Sequence, residues 1–150
     1  VRVCGDTPVV AAGAMMSAQQ VCAAMMLGAC GAQLGSLLLR SEESAWPLSL
    51  KDQIPWCDDT ATRLSDVGTG RATRLIPTGI IEALSQAGLA VSSYPGQLRV
   101  LAPIFAGAIA QNRADLLEMA LGQAAQTAPK GATCAIVTKL FNDLKDCWSE

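Results

Sequence analysis

Histidine is absent from all 150 residues, and its absence removes two kinds of chemistry. Imidazole is the commonest general base near neutral pH, so such a base here has to be a carboxylate, a perturbed lysine or a group outside this segment. A Cys/His metal site is excluded as well, and the six cysteines (4, 22, 30, 57, 134 and 147) show no zinc or redox spacing. No metal ligands are therefore expected, and Cys22 and Cys30 read as small buried apolar residues of a reducing cytoplasm. Aromatic residues are only 4% of the chain, and Trp46, Trp56 and Trp148 stand too far apart for a stacking platform. There is no basic run, and the net charge is -2, which argues against nucleic acid or an anionic membrane surface as partner. No apolar stretch approaches the ~20 residues of a membrane span. What remains is globular in composition: 51% hydrophobic, 16% charged, glycine and proline scattered.

The first forty residues carry the clearest pattern. Within TPVVAAG, the apolar run Pro8 to Ala12 predicts a strand buried on both faces, as in a parallel sheet. Ser17 and Gln20 then form an S-x-x-Q capping box, predicting a helix that runs to about Leu27 and stops at Gly28. Its expected inner face holds Val21, Cys22, Met25 and Met26. GAQLG, Gly31 to Gly35, reads as a second strand, so the whole is a right-handed βαβ unit. Two such strands cannot satisfy their own edges. Further strands from outside the segment are the favoured remedy, with self-association through the unpaired strands as the other.

Beyond Gly35 no further strand is predicted. Residues 47 to 75 read as irregular, and Leu75 to Ala87 as a helix. Spacing through Leu98 to Ile109 is helical, with a start or a kink at Pro103. Ala114 to Gln126 has Leu117, Leu121 and Ala124 facing inward. Thr133 is expected to cap a final helix with Ile136, Val137, Leu140, Phe141 and Leu144 in one stripe.

Each of the two strands ends in a small-residue turn, AAGA (Ala11 to Ala14) and QLGS (Gln33 to Ser36). Glycines there let backbone amides approach an anion closely, and Ser36 adds a hydroxyl donor. Asp58-Asp59 reads as a solvated turn, Arg71 and Arg74 as surface partners of Asp59 or Asp66, and the methionine pairs as core filler.

The stretch TPVVAAGAMMSAQQVCAAMMLGACGAQLGSLLLRSEES resembles strands 7 and 8 of the nitronate monooxygenase family, formerly grouped as 2-nitropropane dioxygenases. TGRATRLI (Thr69 to Ile76), YPGQLRVLAPI and Gly122-Gln123 continue the likeness more loosely. The resemblance implies an α/β fold, namely the C-terminal portion of a (β/α)8 TIM barrel followed by a helical C-terminal region. Residues 1–45 would be the strand 7–helix–strand 8 part of an FMN-binding barrel, and residues 46–150 an irregular segment and helical region of the same domain. A closed barrel needs roughly 250 residues, so the chain is expected to be the C-terminal half of a longer enzyme.

The same resemblance implies a cytoplasmic flavoprotein with FMN as cofactor, acting as an oxidoreductase on a small alkyl nitronate with dioxygen. The FMN-phosphate contacts would fall on Gly13, Ala14, Gln33, Leu34, Gly35 and Ser36. Ala14 stands where the family has a second glycine, a replacement that is strained if φ is positive there. Ser17 and Gln19 replace an aspartate and an arginine. No catalytic residue is carried over, because the family's histidine belongs to an upstream Gly-Gly-His-like motif. A flavin-dependent enoyl-ACP reductase of the same fold is the nearest alternative, and a catalytically inert half-barrel is the alternative of another class.

Overall fold

The computed structural model describes residues 1–149, which divide into two compact units. The first joins Val1–Ala45 to the segment starting at Thr127, and the second is Trp46–Gln126. Both mix helix with strand.

In the first unit, β1 (Val10–Ala12) and β2 (Gly31–Gln33) run parallel, with Val10 opposite Gly31 and Ala12 opposite Gln33. Between them lies α1 (Ala18–Met26). Its start is set by the expected capping box: Ser17 Oγ accepts from the Gln20 amide at 3.4 Å, and Gln20 Oε1 accepts from the Ser17 amide at 3.2 Å. Its end is equally local. Gly28, at φ 98°, donates to the Met25 carbonyl, and Ala29 donates to the Ala24 carbonyl, the paired bonds of a Schellman motif.

Ala18, Val21 and Cys22 bury against Leu144 of the last helix, α5 (Thr133–Ser149), with Met25, Leu140 and Cys147 packed around them. Met26 is 87% exposed and does not join that face. On α5 only Ile136 and Leu144 are buried, and Phe141 is 58% exposed. Five residues past Ile136, it is turned by about 140° on a helix of 3.6 residues per turn, so the inner stripe is narrower than expected. Thr133 does not cap α5 but is its first residue; its amide and hydroxyl both donate to Glu43 Oε2, at 2.8 and 2.7 Å. The cap is thus a carboxylate from a distant loop, which suits the positive end of the helix.

The expected burial of β1 on both faces is corrected. Val10 is 55% exposed, because the sheet holds two strands and nothing further covers this one. Cys30, expected to be buried, is exposed as well, while Cys22 is buried as expected.

The second unit overturns the expectation that no strand follows Gly35. A three-stranded antiparallel sheet runs β3 (Arg63–Ser65), β4 (Thr73–Ile76), β5 (Met119–Ala120), with β4 central. The helix expected from Leu75 begins only at Gly79, as α3 (Gly79–Ala87). Pro77 explains the shift: the residue before a proline is forced towards extended backbone, which leaves Leu75 and Ile76 in β4. Leu75 and Met119 are fully buried, and Leu75 packs with Ile80 and Ile81 of α3. The Thr78 hydroxyl donates to the Leu117 carbonyl at 2.7 Å, tying the start of α3 to the approach of β5. Ala114 to Gln126 is therefore no helix; it comprises a 3-10 turn at Ala114–Leu116, then β5, then the start of a second turn at Ala125–Thr127.

A short helix, α2 (Leu48–Lys51), precedes the sheet, and α4 (Gly96–Ala110) runs through Pro103 without starting there. Gln97 of α4 is buried and clamps two loops, accepting from the Ser92 amide and donating to the Val67 carbonyl at 2.7 Å. Glu118 stands against Gly68, and burial pushes its carboxyl above the usual glutamate range. The ion pairs among the described residues, Arg113–Asp115 and Lys139–Asp143, do not reach it.

Two outcomes follow for the second unit. Leu75→Ala should destabilise it by about 2–5 kcal/mol in denaturant unfolding, the cost of an aliphatic side chain removed from a closed core. Because the folded state raises the Glu118 pKa, its protonated form stabilises the fold, and that contribution is lost as pH rises through the raised value. Glu118→Gln should therefore melt higher than the parent at pH 7, with the difference gone below about pH 4.

Candidate functional site

The parallel pairing of β1 and β2 brings their C-terminal ends level, since Ala12 lies opposite Gln33. The next residues, Gly13-Ala14 on one side and Leu34-Gly35-Ser36 on the other, leave the sheet as two adjacent turns. All six residues that the sequence singled out thus lie at one end of one sheet.

The backbone geometry is specific. Gly13 has φ 113° and Ala14 has φ 51°. Ala14 is one of two non-glycine residues with positive φ among the described residues, the other being Asn112. A left-handed alanine costs about 1–2 kcal/mol, because its Cβ crowds the following carbonyl. Here the alternative that the sequence left conditional is decided: Ala14 keeps the conformation suited to glycine and bears the strain.

The turns are open and hold unengaged backbone donors. A Cβ placed on Gly13 or Gly35 would meet no atom within 4 Å, so the backbone there is open on that side. Among the described residues neither Gly13 nor Gly35 donates its amide to a protein acceptor. The Met16 and Ser17 amides further along are engaged: Gln20 Oε1 accepts from both, at 2.6 and 3.2 Å. The Gly35 carbonyl accepts from the Leu38 amide at 3.2 Å and starts the 3-10 turn Ser36–Leu38. Two open amides at adjacent turns can receive a phosphate-like anion without any side chain moving.

Sequence reasoning missed a cavity of about 490 Å³ in the same unit. It is lined by Met16 and Ser17 at the start of α1, Leu37 after β2, the 129–131 loop and one side of α5. The trace in the sequence is the Ile136–Leu140 spacing: both residues line this hollow, and Leu140 also packs on the core formed with α1.

The other candidates resolve as local structure. Asp58 Oδ1 accepts from the Thr60 hydroxyl at 2.7 Å and from its amide, which holds the carboxyl below the usual range and marks a turn. Arg74 donates to the Thr62 carbonyl and hydroxyl, and Arg71 lies 4.5 Å over the Tyr94 ring, so neither makes the expected aspartate pair. No group of three or more Cys, Asp or Glu side chains converges as a metal site among the described residues. No described helix is long and apolar enough to cross a membrane.

The strain at Ala14 is directly measurable. Ala14→Gly should stabilise the chain by about 0.5–1 kcal/mol, the left-handed penalty less the added chain entropy of glycine. Gly13→Ala, at a φ that L-residues rarely adopt, should cost about 1–3 kcal/mol. Equilibrium unfolding of the two variants reads both signs.

Comparison with known proteins places this arrangement in a family. The model of the nitronate monooxygenase family matches residues 1–143. A probable nitronate monooxygenase of Staphylococcus aureus strain Newman is 30% identical over 137 residues, covering 91% of this chain and 39% of its own. The corresponding protein of Staphylococcus haemolyticus is 31% identical, with 91% and 37% covered. Among solved structures, nitroalkane oxidase from Streptomyces ansochromogenes superposes with a TM-score of 0.85 at 28% identity, over 99% of this chain and 42% of that one. FabK from Thermotoga maritima shares the fold, with a TM-score of 0.74 at 20% identity over 96% of this chain and 46% of that one. The chain spans about two fifths of the length of the curated relatives it matches. With the family match running through both glycine turns and on to α5, this chain belongs to the nitronate monooxygenase family.

Proposed function

We propose that this chain carries the FMN-phosphate end of a flavin-dependent oxidoreductase that oxidises alkyl nitronates with dioxygen. In this reading β1 and β2 stand as strands 7 and 8 of a (β/α)8 barrel, whose ligands bind at the C-terminal ends of the strands. The observation that carries it is the pair of level, open turns with undonated amides at Gly13 and Gly35. Gly13, Ala14, Gln33, Leu34, Gly35 and Ser36 would surround the phosphate, mostly through backbone groups.

The residues present fit that group. A phosphate monoester needs donors without bulk, and the two glycines offer both. When bound, FMN supplies the electron transfer from a carbanion-like substrate to oxygen. This chain's own part is binding and orientation: the turns fix the phosphate, and the sheet register fixes the turns. With no histidine, the chain holds no imidazole base, so any imidazole in the reaction would come from outside these 150 residues. The higher superposition and identity with nitroalkane oxidase than with FabK support the nitronate reading over enoyl-ACP reduction.

Titration of the isolated chain with FMN and with riboflavin, followed by amide NMR, tests the phosphate site. FMN should shift Gly13, Ala14, Gly35 and Ser36, riboflavin should not, and Gly35→Val should abolish the response. Equal response to both flavins, or shifts centred elsewhere, would overturn the assignment. No oxygen uptake with propionate 3-nitronate is expected from the chain alone, and NADH consumption with an enoyl thioester by the full-length enzyme would favour the reductase.

A further inference from the structure

The cavity along α5 is not explained by that function, for none of the six turn residues lines it. Every residue of its wall belongs to the first unit. The floor is apolar: Leu37 and Ile136 are buried there, and Leu140 and Met16 are half-buried beside them. Three charged side chains line it as well. Lys139 is tied to Asp143 at 2.7 Å, so those two charges oppose each other. Lys130 stands exposed at the rim, and among the described residues its ammonium makes no ion pair or hydrogen bond. Glu43, at the start of α5, is engaged by the Thr133 amide and hydroxyl and does not line the hollow. One unopposed positive charge therefore stands beside an apolar surface.

We propose that this hollow binds a small monocarboxylate with an apolar tail of medium length. The carboxylate sits on the Lys130 ammonium, and the tail lies along Leu37, Ile136 and Leu140. Charge selects that ligand class. A cationic ligand would meet the ammonium, a neutral one would leave it without a partner, and a second negative charge would have no counterpart in the hollow. The wall beside Lys130 favours an anion too. Among the described residues the Cys134 and Ala135 amides, in the first turn of α5, have no protein acceptor, and that end of the helix is positive. Size agrees with the assignment. At about 490 Å³ the hollow falls in the roughly 300–1,000 Å³ range of small-ligand clefts, which are mostly apolar with few polar groups. The proposal stands on the hollow and its free ammonium, and it does not rest on the flavin reading.

Amide NMR titration of the chain with hexanoate, octanoate and decanoate tests the proposal. Shifts should centre on Lys130, Ala135, Ile136 and Leu140, and each added methylene should tighten binding about three- to fourfold. Octanol should bind about two- to fivefold more weakly than octanoate, and octylamine more weakly still. Lys130→Gln should bring octanoate down to the level of octanol while leaving octanol unchanged, a pattern that loss of fold would not produce. Ala135→Phe, which fills the hollow from an exposed position on α5, should abolish the response to all three acids, with circular dichroism as in the parent. The proposal is overturned if octanoate, octanol and octylamine bind alike, if affinity ignores tail length, or if the shifts lie outside the hollow. It is overturned too if sedimentation shows a homodimer that Ala135→Phe dissolves, which would assign the hollow to a second copy.

Discussion

The register of one short parallel pair governs the phosphate site proposed for this chain. Ala12 opposite Gln33 sets the two turns level, and a slip by one residue would put one turn a strand step of about 3.3 Å out of line with the other. That register is held less by the strands, which are three residues each, than by α1 between them. The capping box at its start and the Schellman motif at its end fix how far the chain travels before it can pair again. Burial of Ala18, Val21 and Cys22 against α5 then fixes the helix in place. Local chemistry at Ser17, Gln20 and Gly28 is in this way converted into the spacing of two open amides more than twenty residues apart in sequence.

The strain at Ala14 is understood in the same terms. The turn is held by its flanks, β1 before it and the engaged Met16 amide after it, so residue 14 takes the dihedral its neighbours leave to it. An alanine there bears an unfavourable φ without redirecting the chain. The conformation that exposes the amides is thus a property of the surroundings, which is what a preformed anion site requires.

How much of this was legible in the sequence depends on how local each determinant is. The helix α1, both of its ends and the parallel pair were readable, because each is specified within a few residues. The two small-residue turns at the strand ends were readable for the same reason, whereas the six candidate site residues came only from the family resemblance. The antiparallel sheet was not readable: β5 is two residues long, and it pairs with β4 across more than forty residues, so neither alternation nor spacing marks it. Leu75 and Ile76 mimic a helical stripe with Ile80 and Ile81, and the break between them is marked by Pro77, followed by Thr78 and Gly79. Exposure of Val10 and Cys30 was misjudged because an apolar run reports a preference for burial, not whether a neighbour exists to bury it. The groove on α5 was invisible because it depends on which side of a helix is left uncovered. The dihedral at Ala14 could be stated only as a condition until the turn was seen.

Amide hydrogen exchange of the chain with and without FMN tests the central claim most directly, because it reads the individual donors. Slower exchange at Gly13 and Gly35 on adding FMN, with β3–β5 unaffected, is the predicted result. Flavin binding that leaves those two amides exchanging as fast as before would contradict it.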